Sequence, residues 1–289
     1  MPPAPTPRQQ QMVALAAELA ERFAPRVDAD ERAGRFPIEN YRELHAAGYL
    51  RLIVPPEYGG AGASLYETVL AQERLAQGDG ATAMAVNMTM HLIGRQAELR
   101  SWPEPIFALI CRAIAEEGAL VNAAASEPEL GSPSRGGMPA TSARPVEGGW
   151  LVRGHKQFVT MAPALRFFIT SVALPPAPDA PQGATANALV QAGAAGLRFE
   201  DTWSDALGLR TSGSYDVFYD DVLVPGEWLI DRQVAGAAPP ARQPAGTAWF
   251  ALTMGAVYLG IGQAAIDAVC RYAQARVPSA LGKPIATLP

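Results

Sequence analysis

The spacing of hydrophobic residues changes twice along this chain, and that alone excludes most architectures. Up to about residue 120 apolar residues recur every three or four positions; from about residue 122 to 231 they tend to alternate; from about residue 246 the helical spacing returns. Helices, then strands, then helices describe segregated layers rather than alternating βαβ units. The pattern predicts an α+β multidomain protein. An N-terminal all-helical domain spans 1–121, and a middle antiparallel, barrel-like β domain spans 122–232. A further helical segment spans 240–289.

Local signals agree with this division. Thr6-Pro7 reads as an N-cap followed by proline at the first helical position, where its missing N–H costs nothing. Met12, Leu15, Ala16, Leu19, Ala20 and Phe23 follow at helical spacing, and Pro25 is expected to close the segment. A second helix is expected from Pro37 to Ala47, with Gly48 as its stop. Ser64-Leu-Tyr-Glu67 is a capping box opening a third, to about Gln77. Further helices are expected over about Ala81–Ile93 and Pro105–Glu117. In the middle region Trp150–Arg153, Phe167–Val172, Asn187–Val190 and Tyr215–Val224 read as strands. Glu147-Gly148-Gly149 is a tight hairpin signal.

Charge and cysteine content narrow the function classes. A formal net charge of −5 supplies no basic excess to neutralise phosphates, which argues against a nucleic-acid partner. No block of Lys and Arg is present, nor an unbroken apolar run of about 18 residues, so no membrane association is expected. The N-terminus lacks the charged-then-apolar layout of a signal peptide. Cys111 and Cys270 are far apart and have no metal-ligand spacing, so no metal site is expected and a reducing, cytoplasmic setting fits.

Gly260-Ile-Gly262-Gln-Ala-Ala265 matches a dinucleotide-binding GxGxxA pattern, which needs a strand before it and an acidic residue about 20 positions on. The preceding Ala251–Leu259 reads as helix and no acid lies between Ala268 and the C-terminus, so close helix packing is the better explanation of the glycines. The stretch Asn122–Ser134 is different. A run of small residues breaks into a Pro/Gly-rich loop carrying Ser126, two carboxylates, Gly131 and Ser132, with no regular period. Turn chemistry and a ligand cradle are both open to such a loop.

Three ordered stretches decide between them. They are Val54-Pro-Pro-Glu-Tyr-Gly-Gly-Ala-Gly62; Ala125-Ser-Glu-Pro-Glu-Leu-Gly-Ser132 joined to Gly154-His-Lys-Gln-Phe-Val-Thr160; and Leu207-Gly-Leu-Arg-Thr-Ser-Gly-Ser-Tyr-Asp216 running into Asp220-Asp-Val-Leu-Val-Pro225. Together they resemble the acyl-CoA dehydrogenase superfamily of flavoproteins, over nearly the whole chain, and the resemblance implies that 240–289 is the start of a C-terminal helical bundle, truncated. The resemblance implies an FAD site in which the loop is a cradle. Ser126 would hydrogen-bond the polar edge of the isoalloxazine, and Ser132 would reach the pyrophosphate where Gly131 permits close approach. Phe158 would pack on the ring, and Thr160 would reach toward N5, the hydride acceptor. Phe158 stands where Trp is usual, and Pro133 where Asp is common. The resemblance also implies that Arg276 would be the arginine that reaches the flavin pyrophosphate of a neighbouring subunit.

The implied activity is α,β-dehydrogenation of an acyl-CoA thioester with hydride transfer to flavin N5, the electrons passing to a partner flavoprotein and the protein forming a homo-oligomer. The catalytic base is unidentified. The family usually places it in a part expected beyond Pro289, and no Asp or Glu occurs from Pro244 to Ile266, where Phe250 stands about where some members carry it. An alternative keeps the fold but uses reduced flavin, FAD or FMN, from a flavin reductase for monooxygenation, with His91 and Asn122 near the flavin. A further alternative is a truncated, non-catalytic relative. His45 and His155 read as surface or structural residues.

Overall fold

The structure, a computed structural model, describes residues 4–130, 137–237 and 244–288. The chain opens with five helices, α1 (Pro7–Ala33), α2 (Ile38–Ala46), α3 (Leu65–Ala76), α4 (Gly80–Leu99) and α5 (Glu104–Glu117). Thr6 caps α1 through a reciprocal pair with Gln9, and Ser64 and Glu67 form the expected capping box of α3. Glu67 also takes the Arg8 guanidinium at 2.8 Å, tying the start of α1 to the start of α3.

Pro25 does not end the first helix: α1 continues for two further turns. A proline inside a helix removes one hydrogen bond and crowds the preceding turn. Here it sits on the exposed face, while Phe23 before it and Asp30 after it are buried. Asp30 holds Arg35 at 2.6 Å, and Gly34 closes the helix at φ +60°. Tertiary anchoring on both sides outweighs the local penalty.

Eight strands follow: β1 (Leu120–Ala124), β2 (Ser142–Val146), β3 (Gly149–Val159), β4 (Leu165–Leu174), β5 (Ala184–Gln191), β6 (Leu197–Glu200), β7 (Tyr215–Pro225) and β8 (Leu229–Val234). The sheet runs β6-β7-β3-β2-β4-β5-β8, with β1 added on β4. It is mixed rather than antiparallel, because β1 and β2 both run parallel to β4. Alternation in sequence reports which face of a strand is buried, not its direction. β1 enters straight from α5 and meets β4 only after the β2–β3 hairpin has intervened, which makes the parallel pairing.

The last helix, α6 (Pro244–Ala275), lies across α3 and α4. Two glycines permit this approach: a β-carbon at Gly260 would fall 2.2 Å from the Glu73 carbonyl oxygen, and one at Gly94 would fall 2.3 Å from the Trp249 ring. The GxGxxA pattern therefore belongs to the interior of a packed helix. Within Gly246–Ala275 an 18-residue stretch reaches a mean hydropathy of 1.4, so this helix is long and apolar enough to cross a membrane by length and composition alone. The helices and sheet are joined by Thr89, whose hydroxyl donates to the Val121 carbonyl, and by Trp102, whose indole N–H donates to Asp231.

Candidate active site

The base of the Ser126 loop is held by an ion pair that the sequence reading left without a role. Glu127 and Lys156 are both buried, and Lys156 Nζ lies 2.6 Å from Glu127 Oε1. Glu127 also accepts the backbone N–H of Ala140 at 2.7 Å and of Thr141 at 2.9 Å, so one carboxylate joins the two ends of the loop. Lys156 donates in addition to Ser171 on β4. Burial alone would raise the Glu127 pKa; the lysine and the two backbone donors outweigh it and hold the carboxyl at about 2. Beside this pair the Ser126 carbonyl accepts the Gln157 N–H at 3.0 Å, docking the loop on β3.

At the end of β3 the pairing with β7 slips between Lys156 and Val159. Phe158 lies in that break, with φ +57° and the side chain 55 % exposed. A bulky non-glycine residue in the left-handed region costs of order 1–3 kcal/mol, and such strain gathers at functional positions. Its ring meets the edge of Trp203 at 5.8 Å between centroids. Two residues on, Thr160 is half-buried, and its hydroxyl lies 3.0 Å from that of Ser214, which lies 2.8 Å from that of Ser212. Asn122 is buried; its amide donates to the Thr160 carbonyl at 3.0 Å and its side-chain oxygen accepts the Ala123 N–H. Asn122 therefore braces the Thr160 turn.

The structure thus brings Ser126, Phe158, Thr160 and Asn122 to one end of β3. Gly131 and Ser132 lie outside the described residues. His91 projects from the face of α4 about 200° round from Thr89, the residue that touches β1. It packs edge-on against Phe250 of α6 at 5.2 Å, and burial with the nearby Arg95 lowers its pKa to about 4. Arg276 is exposed just past the end of α6. His155 pairs with Asp216 at 2.6 Å and stacks on Phe218, a cross-strand contact of β3 and β7. Ser212, Ser214, Glu127 and Lys156 all stand within the quoted motifs, but only the fold shows that they meet.

The comparisons define the class. The acyl-CoA dehydrogenase N-terminal domain matches residues 6–99, and the acyl-CoA dehydrogenase middle domain matches residues 122–222. A putative acyl-CoA dehydrogenase of Bacillus subtilis, YdbM, is 35 % identical over 98 % of this chain and 71 % of its own length. The amino sugar nitrososynthase RubN8 of Streptomyces rubradiris is 33 % identical over 86 % of this chain, which spans 58 % of that relative. Among solved structures, KijD3 in complex with FMN and dTDP-3-amino-2,3,6-trideoxy-4-keto-3-methyl-D-glucose superposes with a TM-score of 0.83 at 27 % identity, covering 96 % of this chain and 67 % of that one. The chain belongs to the acyl-CoA dehydrogenase family, a family of flavin-dependent oxidoreductases, and carries its N-terminal and middle domains.

Proposed function

We propose that this chain builds the flavin site of an oxidoreductase that binds FAD at the open end of β3 and oxidises an acyl thioester at its Cα–Cβ bond. The observation that carries the reading is Phe158. An aromatic ring is held outward in a strained conformation, between the Ser126 loop and the Thr160 hydroxyl, where a planar ring system would cover it. The residues present fit a flavin: an aromatic platform, a half-exposed hydroxyl for N5 and a clamped polar loop for the pyrimidine edge. Bound flavin supplies the hydride acceptor. The chain's part is to seat the ring and to keep the Thr160 hydroxyl in place through Asn122 and Ser214.

A second reading has its own support. No carboxylate occurs from Pro244 to Ile266 to remove an α-proton, and the His91 ring instead faces Phe250 as a neutral imidazole at physiological pH. With nitrososynthases among the relatives, this favours monooxygenation by reduced flavin, FAD or FMN, from a flavin reductase. Under either reading small-molecule substrates are the partners. Association of copies is supported by the exposed apolar side chains of α6, Leu252, Tyr258, Leu259, Ile266, Val269 and Tyr272.

A visible spectrum of the purified protein under nitrogen, before and after mixed acyl-CoA thioesters, separates these readings. Bleaching of oxidised-flavin bands is the expected result. Persistent bands that, once reduced chemically, return with oxygen consumption in step with substrate oxidation would favour monooxygenation. A protein that takes up neither FAD nor FMN would be a non-catalytic relative.

A further inference from the structure

The three hydroxyls behind the Phe158 platform form a chain with no evident role in folding. Thr160 Oγ1, Ser214 Oγ and Ser212 Oγ follow at 3.0 and 2.8 Å, and in each contact either oxygen can donate. Ser212 and Ser214 are buried, at 2 % and 5 % exposure, whereas Thr160 is half-exposed. The backbone on both sides is fixed without them. Met161 N–H donates to the Ser212 carbonyl at 3.0 Å, Ala162 N–H to the Gly213 carbonyl at 3.1 Å, and Asn122 to the Thr160 carbonyl. Only hydroxyl hydrogens are left free to turn.

Each hydroxyl carries one hydrogen and can accept through its lone pairs. The chain therefore has two arrangements. In one, Ser212 donates to Ser214, Ser214 to Thr160, and Thr160 outward. In the other, Thr160 accepts from outside and donates to Ser214, which donates to Ser212. Concerted rotation interconverts them, with no heavy atom moved, no covalent bond broken and no proton transferred.

We propose that Ser214, backed by Ser212, is a positioning residue that holds Thr160 as a donor to the neighbouring flavin in its oxidised state. The inference rests on the reading that Thr160 faces flavin N5. That atom is a bare acceptor in oxidised flavin and carries a hydrogen in the two-electron-reduced form, so each state asks for a different arrangement. In the first every hydroxyl hydrogen is paired; in the second the hydrogen of Ser212, a buried residue, has no acceptor among the described residues. The relay therefore favours oxidised flavin.

The sign of the effect follows from what each arrangement leaves unpaired. Without the Ser214 hydroxyl, an outward-donating Thr160 leaves the Ser212 hydrogen, paired in the parent, stranded in a buried position. An accepting Thr160 leaves its own hydrogen without Ser214, but Thr160 is half-exposed and water can take it. The first is the costlier defect. Ser214→Ala is thus expected to bind reduced FAD nearly as the parent does and to lose roughly three- to tenfold in affinity for oxidised FAD. A tenfold loss raises the two-electron midpoint potential by about 30 mV.

The experiment is a fluorescence titration of the full chain with oxidised FAD, followed by anaerobic determination of the bound flavin's midpoint potential, for the parent, Ser214→Ala, Ser214→Thr, Ser214→Cys and Thr160→Val. Support is a raised potential in Ser214→Ala, its recovery in Ser214→Thr, and no further change when Ser214→Ala is added to Thr160→Val. An unchanged potential in Ser214→Ala with flavin bound overturns the relay and leaves the cradle standing. If Ser214→Ala does not fold, Ser214→Cys decides in the same way, because a thiol is a weak donor and a weak acceptor. A parent protein that takes up no flavin overturns the cradle and the relay together, and a potential untouched by Thr160→Val overturns the placement of Thr160 at N5.

Discussion

A Lys156→Met variant should lose about 3–5 kcal/mol of stability and emerge from purification without flavin. Removing one partner of a buried ion pair leaves the other charge uncompensated, and that is among the larger effects a single substitution produces. Glu127 and Lys156 are almost inaccessible and separated by 2.6 Å, so water cannot replace the missing ammonium. Denaturant titration reads the first part of the result and the absorbance ratio of flavin to protein the second. Adding Glu127→Gln to Lys156→Met should recover stability, since no buried charge is then left unpaired, but should not restore flavin retention, because the loop ends lose the carboxylate that joins them. A Lys156→Met protein as stable as its parent would show that the pair is dispensable. The same pair sets an acid limit. In the unfolded chain Glu127 titrates in the ordinary glutamate range near 4.5, and in the folded chain at about 2. The stability it contributes is therefore complete above that ordinary range and is lost as pH falls through about 2. In Glu127→Gln that part of the acid limb should flatten.

Trp249→Ala should have an effect of similar size by a different route. Trp249 is the largest fully buried side chain, and it fills the notch that Gly94 leaves in α4. Truncating a buried tryptophan costs about 3–5 kcal/mol through lost contacts and the cavity left behind. The loss falls at the start of α6, so that segment should exchange its amide hydrogens faster while β3 and β7 keep their protection. Its indole N–H has no hydrogen-bond partner among the described residues, so Trp249→Phe should be much milder. Uniformly raised exchange throughout the chain would contradict this local account.

The extent to which these features could be read in advance varies with how local their causes are. The capping boxes at Thr6 and Ser64 involve residues three apart and appear in the sequence as in the structure. The end of α1 does not, because what carries it past Pro25 is the burial of Phe23 and Asp30 against distant elements. β1 hides in a run of small residues, and its parallel register with β4 depends on a hairpin inserted between them. At the site, Ser126, Phe158 and Thr160 stand out by motif. The clamp does not, since Glu127 and Lys156 are 29 residues apart and each alone looks like a surface charge. Ser212 and Ser214 lie 54 or fewer positions from Thr160, with nothing in their spacing to suggest contact.

Phe158 also bears on how this protein would change under selection. Its left-handed backbone suits glycine or asparagine better, and its exposed ring adds little to the core. A library screened only for survival on heating should therefore drift toward Gly or Asn at this position, shedding strain together with the platform. A lineage that keeps an aromatic residue here is being held by its ligand. The identity of residue 158 is thus a record of whether the chain has been maintained for thermal tolerance or for use.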